Sequence, residues 1–364
     1  MDVYDTICLS GGGIKGFAFV GALEYLHIKS YIDLNKINNW VGTSVGSIMS
    51  YLLTLGYTIQ EIIDFILDFN FKSLESDVSI DSLLVSFGVN NGIKFIILMS
   101  SFLKEKFNCE DINFLDHYKL TNKKLTIIGT NYSKGKEVAF NYETCPTMSV
   151  LTAIRISISV PIIFEPVLFN DDYYVDGGLT NNFPLNHCNP KTTLGIYIKN
   201  SCCNNMNDIL ELVKGCMSII SDTISLKNYS DNKYKIIQID NFSQDFVNFE
   251  LTREKKIKLI NLGQTFAQKF LNDLEKSEPQ QEPHVESEPH VESEPQEPHV
   301  ESETEPHVES ESEPQESEPE PHVESESEPQ EPEPHVESEP EESEPQVEPE
   351  SQVDKIIDQL TNNK

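Results

Sequence analysis

Apolar and polar positions alternate along the first 70 residues in a way that specifies a layered fold. Thr6-Ile7-Cys8-Leu9-Ser10 is a short apolar run ended by glycines, the pattern of a buried strand. Phe17 to Ile28 is apolar on the faces a sheet would cover and predicts a helix. Ile37 to Val41 predicts a second strand that breaks at Gly42, and Val45 to Leu55 a second helix. Thr58-x-x-Glu61 is a capping box that opens a third helix. This strand–loop–helix–strand–turn–helix order argues for a parallel sheet with helices on its faces.

The pattern weakens between 71 and 117, where Ile93 to Met99 is an apolar stretch suited to a core helix, an acyl pocket or an interfacial segment. Strands are expected at 124–130, 136–140, 166–169, 172–175, 193–198 and 235–239, and a helix from Met148 to Ser157. A long amphipathic helix follows from Arg253 to Lys276, with Ile257, Ile260, Phe266, Phe270 and Leu274 near one face.

Charge divides the chain. The formal net charge of its 364 residues is −33, but residues 277–352 hold 28 Glu and 15 of the 20 Pro, without Asp, Lys, Arg or aromatic residues. The rest carries only −5. Pro-His-Val-Glu-Ser recurs six times in the acidic stretch at irregular spacing, which excludes a solenoid and predicts a disordered tail. Val353, Ile356, Ile357 and Leu360 then form one helical face that could be presented to an unknown protein partner. The expected organisation is a catalytic domain over 5–200, the remainder of the globular body over 201–276, the tail over 277–352, and a short helix over 353–364.

The near-neutral body disfavours nucleic-acid binding by charge. The acidic N-terminus lacks the features of a secretion signal, and no apolar run is long enough to span a bilayer. Seven cysteines without Cys-x-x-Cys pairs read as reduced intracellular thiols, and no metal or cofactor site is expected.

Three motifs carry chemistry. Gly11-Gly12-Gly13-Ile14-Lys15-Gly16 offers backbone N–H groups and a helix N-terminus to negative charge. With Asp33 downstream it also satisfies a dinucleotide fingerprint. Gly42-Thr43-Ser44-Val45-Gly46, between strand and helix, has the form of a nucleophile elbow that projects the Ser44 hydroxyl. Asp176-Gly177-Gly178 ends a strand-like run and lets a carboxylate sit close to backbone. Glycine loop and elbow are about one βαβ step apart, so both can reach the same sheet edge. A dinucleotide enzyme would leave Ser44 and Asp176 without a task.

These motifs, in this order, resemble the patatin-like phospholipase family. The run from Ala153 to Val167, which contains Val160-Pro161, and the continuation through Asn182-Phe183-Pro184-Leu185 extend the likeness over about 5–200. The resemblance implies a three-layer α/β/α sandwich with a mainly parallel central sheet. It also implies a metal-free Ser–Asp dyad cleaving phospholipid or other acyl-lipid esters at a membrane interface. Ser44 would be the nucleophile, Asp176 the base, and the N–H groups of Gly12 and Gly13 the oxyanion hole. Gly11, Lys15, Gly16, Gly42, Gly46, Gly177 and Gly178 would support the motifs, Lys15 standing where relatives often have Arg. An acyltransferase or a non-hydrolysing lipid binder would need the same pocket. Of the body histidines, His187 follows Asp176 in the order of a Ser, Asp, His triad, and the resemblance assigns it no part in catalysis.

Overall fold

The computed structural model describes residues 4–74, 87–199, 209–229, 234–240, 242 and 251–277. The acidic repeats and the expected helix at 353–364 lie outside the described residues. In chain order the first elements are β1 (Thr6–Leu9), α1 (Phe17–Ile28), β2 (Asn39–Thr43), α2 (Val45–Thr54) and α3 (Ile59–Asp68). Next come β3 (Gly88–Asn90), α4 (Ile93–Phe107), α5 (Phe114–Thr121), β4 (Lys124–Asn131), β5 (Lys136–Phe140) and α6 (Val150–Ser157). The chain continues through β6 (Ile162–Phe164), β7 (Val167–Phe169), β8 (Asp172–Asp176) and β9 (Thr193–Ile198). It closes with α7 (Ile209–Tyr229), β10 (Lys235–Ile239) and α8 (Arg253–Ser277).

The central sheet has the order β10-β9-β1-β2-β4-β8-β7, with β5 also on β4. Its first five strands are mutually parallel, as βαβ connections require, and β8, β7 and β5 join antiparallel. The capping box at Thr58 and Glu61 is formed, and β2 runs through Gly42 to Thr43 instead of breaking there.

One register positions everything that follows. Thr43 at the end of β2 pairs with Ile128 of β4, and Asp176 at the end of β8 pairs with the next residue, Gly129. Strand β5 occupies the opposite edge of β4 from Ile127 to Asn131. Strands β2 and β8 therefore share one edge of β4 and run toward each other, so their C-terminal ends meet head-on.

Side chains alternate across the strands, and the two sheet faces differ. Ile7, Leu9, Trp40, Leu125, Ile127, Leu194 and Ile196 join the larger apolar cluster, which includes residues of α1 through α6 and α8. Cys8, Val41 and Tyr197 belong to a smaller cluster with Phe183 and Leu185, from the segment after β8. That segment is short of regular structure, and strand hydroxyls satisfy its carbonyls. Thr43 donates to Asn181 O, Thr130 to Asp176 O and Thr193 to Asn189 O.

Helix α8 closes the body against α1. A methyl group on Gly21 would lie 1.9 Å from Ile260 O, and one on Gly263 1.8 Å from Ala18 O, so the two helices touch backbone to backbone. Of its expected face, Ile260 is buried and Phe266 and Phe270 pack against the core, but Ile257 is exposed, and Lys256, Leu259 and Ala267 are buried as well. Lys256 Nζ donates to Leu67 O and Phe69 O, satisfying the carbonyl end of α3. Among the described residues, no helix is long and apolar enough to cross a membrane.

Candidate active site

Ser44 sits between β2 and α2 with φ 53° and ψ −122°, a conformation disfavoured for any residue with a side chain. Neighbours hold it there. Its N–H donates to Ser157 Oγ at 2.8 Å, and the Ser157 hydroxyl donates to Ile128 O at 2.6 Å. Its carbonyl accepts from the N–H and the hydroxyl of Ser47. The turn is so tight that a methyl group on Gly42 would lie 2.4 Å from the Gly46 carbonyl, and one on Gly46 2.5 Å from Leu9 O. Both flanking glycines of the elbow are therefore required for close approach.

The glycine loop comes from the adjacent strand, β1. Ser10 N–H donates to Ile196 O and Gly11 N–H to Asn182 O, which ties the loop to β9 and to the segment after β8. The N–H groups of Gly12 and Gly13 enter no such backbone bond among the described residues, and both glycines line a cavity shared with Ser44. Lys15 is buried and turned elsewhere, its Nζ 5.3 Å from the centre of the Phe242 ring, and it does not line that cavity. Asp33, the acid of the dinucleotide fingerprint, accepts from Asn35 N–H and caps a single turn instead.

Asp176 ends β8, its N–H bonded to Ser159 O at 2.9 Å. Oδ1 accepts from Gly178 N–H at 2.6 Å, while Oδ2 is buried and has no hydrogen-bond partner among the described residues. Burial pushes this carboxyl up to about 7; the Gly178 N–H and the Ser44 hydroxyl beside it pull in the opposite direction by smaller amounts. Head-on strands thus bring a strained serine and a carboxylate of raised basicity to one point, although 132 positions separate them in sequence.

Both groups open on an apolar cavity of about 140 Å³. Beyond Ser44 it is walled by Ile48, Met49 and Leu52 of α2, by Ile62, Phe65 and Ile66 of α3, and by Phe71 and Leu74. The apolar stretch at 93–99 forms part of α4, and its Phe95, Leu98 and Met99 line the cavity. On the other side stand Asn182 and, from α7, Met217 and Ser221.

None of the three body histidines lines the cavity. His187 pairs with Glu137, His117 is bonded to Thr54, and His27 meets Ile32 O. Among the described residues no cluster of His, Cys, Asp and Glu could hold a metal ion.

Sequence reasoning gave no role to Ser157, Arg155 or α7. Arg155 is buried and bonded to Asn91 O, Ser159 Oγ and Glu165 O, and Ser159 in turn holds Asp176 through its carbonyl. The available signal was the spacing Arg155-x-Ser157-x-Ser159, three polar residues in an apolar segment where α6 ends. Buried polar groups need partners, and such a cluster marks a place where backbone must be held.

Fold and site define an α/β protein with an elbow serine and an aspartate facing an apolar cavity. The chain belongs to the patatin-like phospholipase family, which matches residues 7–188. A probable lipid hydrolase, 463L, of Invertebrate iridescent virus 6 is 37% identical over 187 residues, covering 50% of this chain and 62% of the viral protein. The chain thus spans about three fifths of that relative's length. The uncharacterized protein YqhO of Bacillus subtilis (strain 168) is 26% identical over 285 residues, covering 72% of this chain and 96% of YqhO. Among solved structures, VipD from Legionella pneumophila is similar with a TM-score of 0.48 and 16% identity, over 75% of this chain and 67% of VipD.

Proposed function

We propose that this protein is a lipid acyl hydrolase of the phospholipase A type, working through Ser44 and Asp176 and a covalent acyl-enzyme. The observation that carries this reading is the buried Asp176 carboxylate, its Oδ2 without a hydrogen-bond partner among the described residues, beside the Ser44 hydroxyl on an apolar cavity. Ser44 Oγ attacks the ester carbonyl carbon and its proton passes to Asp176. The carbonyl oxygen gains negative charge in the tetrahedral intermediate and accepts from the N–H groups of Gly12 and Gly13. As the intermediate collapses, the C–O bond breaks and Asp176 returns the proton to the leaving lysolipid or alcohol. Water then attacks the acyl-enzyme, Asp176 again taking the proton, and as the Oγ–C bond breaks Asp176 returns that proton to Ser44 Oγ and the fatty acid leaves.

The raised basicity of Asp176 suits this task. A carboxylate near its unperturbed value is a poor base for a hydroxyl, whereas one at about 7 is substantially ionised at neutral pH and still attracts a proton. The family membership and the similarity to a probable viral lipid hydrolase support lipid as the substrate class. Labelling with a fluorophosphonate probe tests the reading: the wild-type chain should be labelled and then cleave a diacyl phospholipid, and Ser44→Ala should do neither. Labelling of Ser44→Ala at the wild-type rate would remove Ser44 from the mechanism.

A further inference from the structure

Helix α7 is built inside out. Among its described side chains, Ser218, Ser221 and Ser225 are buried, while Leu212, Ile219 and Ile220 are 45%, 66% and 44% exposed. Cys216 and Thr223 are exposed as well. At 100° per residue, Leu212, Cys216, Ile219, Ile220 and Thr223 fall within an arc of about 100°, opposite the serines. A surface helix ordinarily points its apolar stripe at the core and its charges at water. Here none of the outward described side chains is charged, and Asp222, at the margin of the stripe, turns inward to accept from the Tyr197 hydroxyl.

The inward face has a function that explains its polarity. Ser221 Oγ donates to Gly178 O, and Met217 and Ser221 line the cavity that holds Ser44 and Asp176. One side of α7 therefore forms a wall of the cavity, and the described side chains of its other side form an exposed apolar strip. The other apolar element once suited to an interface, the stretch at 93–99, contributes Phe95, Leu98 and Met99 to the cavity wall instead.

We propose that the outer face of α7 is the surface by which this protein docks on a lipid bilayer, laying Ile219 and Ile220 into the headgroup–acyl boundary. This rests on the reading of the cavity as an acyl-lipid site. Phospholipid monomers are scarce in water, so a substrate chain must leave a bilayer to reach Ser44. Among the described residues, α7 both lines the cavity and exposes contiguous apolar side chains, so such a transfer is short there. A helix lying in the interface binds in proportion to the apolar area it buries, which makes Ile219 and Ile220 the principal contributors.

The test uses the full chain, wild type and Ile219→Gln/Ile220→Gln, with phosphatidylcholine vesicles and with a soluble short-chain nitrophenyl ester. The double variant should sediment with vesicles about tenfold less and cleave vesicle phospholipid correspondingly more slowly, since two Ile side chains no longer enter the interface. Its turnover of the soluble ester and its melting temperature should match the wild type. Ile219→Trp should bind vesicles more tightly, which keeps the test independent of any loss of folding in the first variant. Unchanged vesicle binding in the double variant would overturn the proposal. So would wild-type dimers that the double variant converts to monomers in light scattering, because the face would then belong to a second copy. Failure of the wild type on both esters would sink the hydrolase reading, while vesicle sedimentation would still decide the docking surface.

Discussion

The two faces of the central sheet are built by different means. On the face of Trp40, Leu125 and Leu194, strand side chains are large and apolar, and helices complete a continuous cluster. On the face of Cys8, Val41 and Tyr197, the strands also present Thr43, Thr130 and Thr193, and these three hold a largely irregular covering segment by hydroxyl-to-carbonyl bonds. Apolar contacts are non-directional and tolerate small shifts, whereas a hydrogen bond fixes a particular backbone atom. The first face therefore supplies stability. The second supplies position, in the segment that follows Asp176 and tethers the glycine loop at Asn182.

The strongest challenge to that division removes the groups the positioning serves. Ser44→Ala and Asp176→Asn should each lower kcat by about a thousandfold or more, without loss of folded protein. The Asp176 variant should also separate stability from activity. Burial raises this carboxyl from the usual range to about 7, so the folded state favours the protonated form. Its contribution is fully present below about pH 4 and is lost as pH rises to about 7, so the wild type should lose a few kcal/mol relative to Asp176→Asn across that window. Activity should move the other way, kcat/KM rising with pH and levelling above about 7 as the base ionises. A flat pH–rate profile from 5 to 8 would remove Asp176 as the base.

Next in size is a comparison of one substitution on each face. Leu125→Ala leaves a cavity among the helices and should cost about 2–5 kcal/mol by denaturant titration, with turnover per folded molecule unchanged. Thr43→Val keeps the shape but orphans Asn181 O, and should cost only about 1–2 kcal/mol. Its kcat should nevertheless fall severalfold, because the segment after Asp176 loses an anchor. If Leu125→Ala impaired turnover more than Thr43→Val, the division between the faces would fail.

Much of the first face could be read in the sequence, because apolar periodicity reports burial. Helix α1, strands β9 and β10 and the capping box of α3 all follow from local pattern. The elbow was legible for a related reason, since Gly42 and Gly46 have no alternative at such close approach. The pairing of Ser44 with Asp176 was legible only through the family resemblance, because its geometry depends on β2 and β8 approaching head-on along β4, which no local pattern encodes. At 93–99 the sequence left a core helix, an acyl pocket and an interfacial segment open, because Phe95, Ile96, Ile97 and Leu98 are all half-buried and Phe95 and Leu98 line the cavity, which blurs the helical period. Helix α7 escaped because its apolar side faces outward, and a reading that equates apolar with inward cannot orient it.

The smallest expected effect bears on the same contrast. His187 lies in the segment that covers the second face, in the chain order a Ser–Asp–His triad would require. Its ring is bonded to Glu137, whose carboxyl is held below the usual range partly by that contact, though burial acts against it. Neither Ser44 nor Asp176 is among its bonded partners, and it does not line the cavity. His187→Ala should therefore keep kcat within about twofold and cost at most about 1 kcal/mol, the usual range for one partly exposed hydrogen bond. A residue can sit in a segment that must be positioned without being what positions it, and Thr43 and His187 separate those two conditions. Loss of activity in a folded His187→Ala protein, measured on the soluble ester, would replace the dyad with a triad and make this irregular segment part of the chemistry itself.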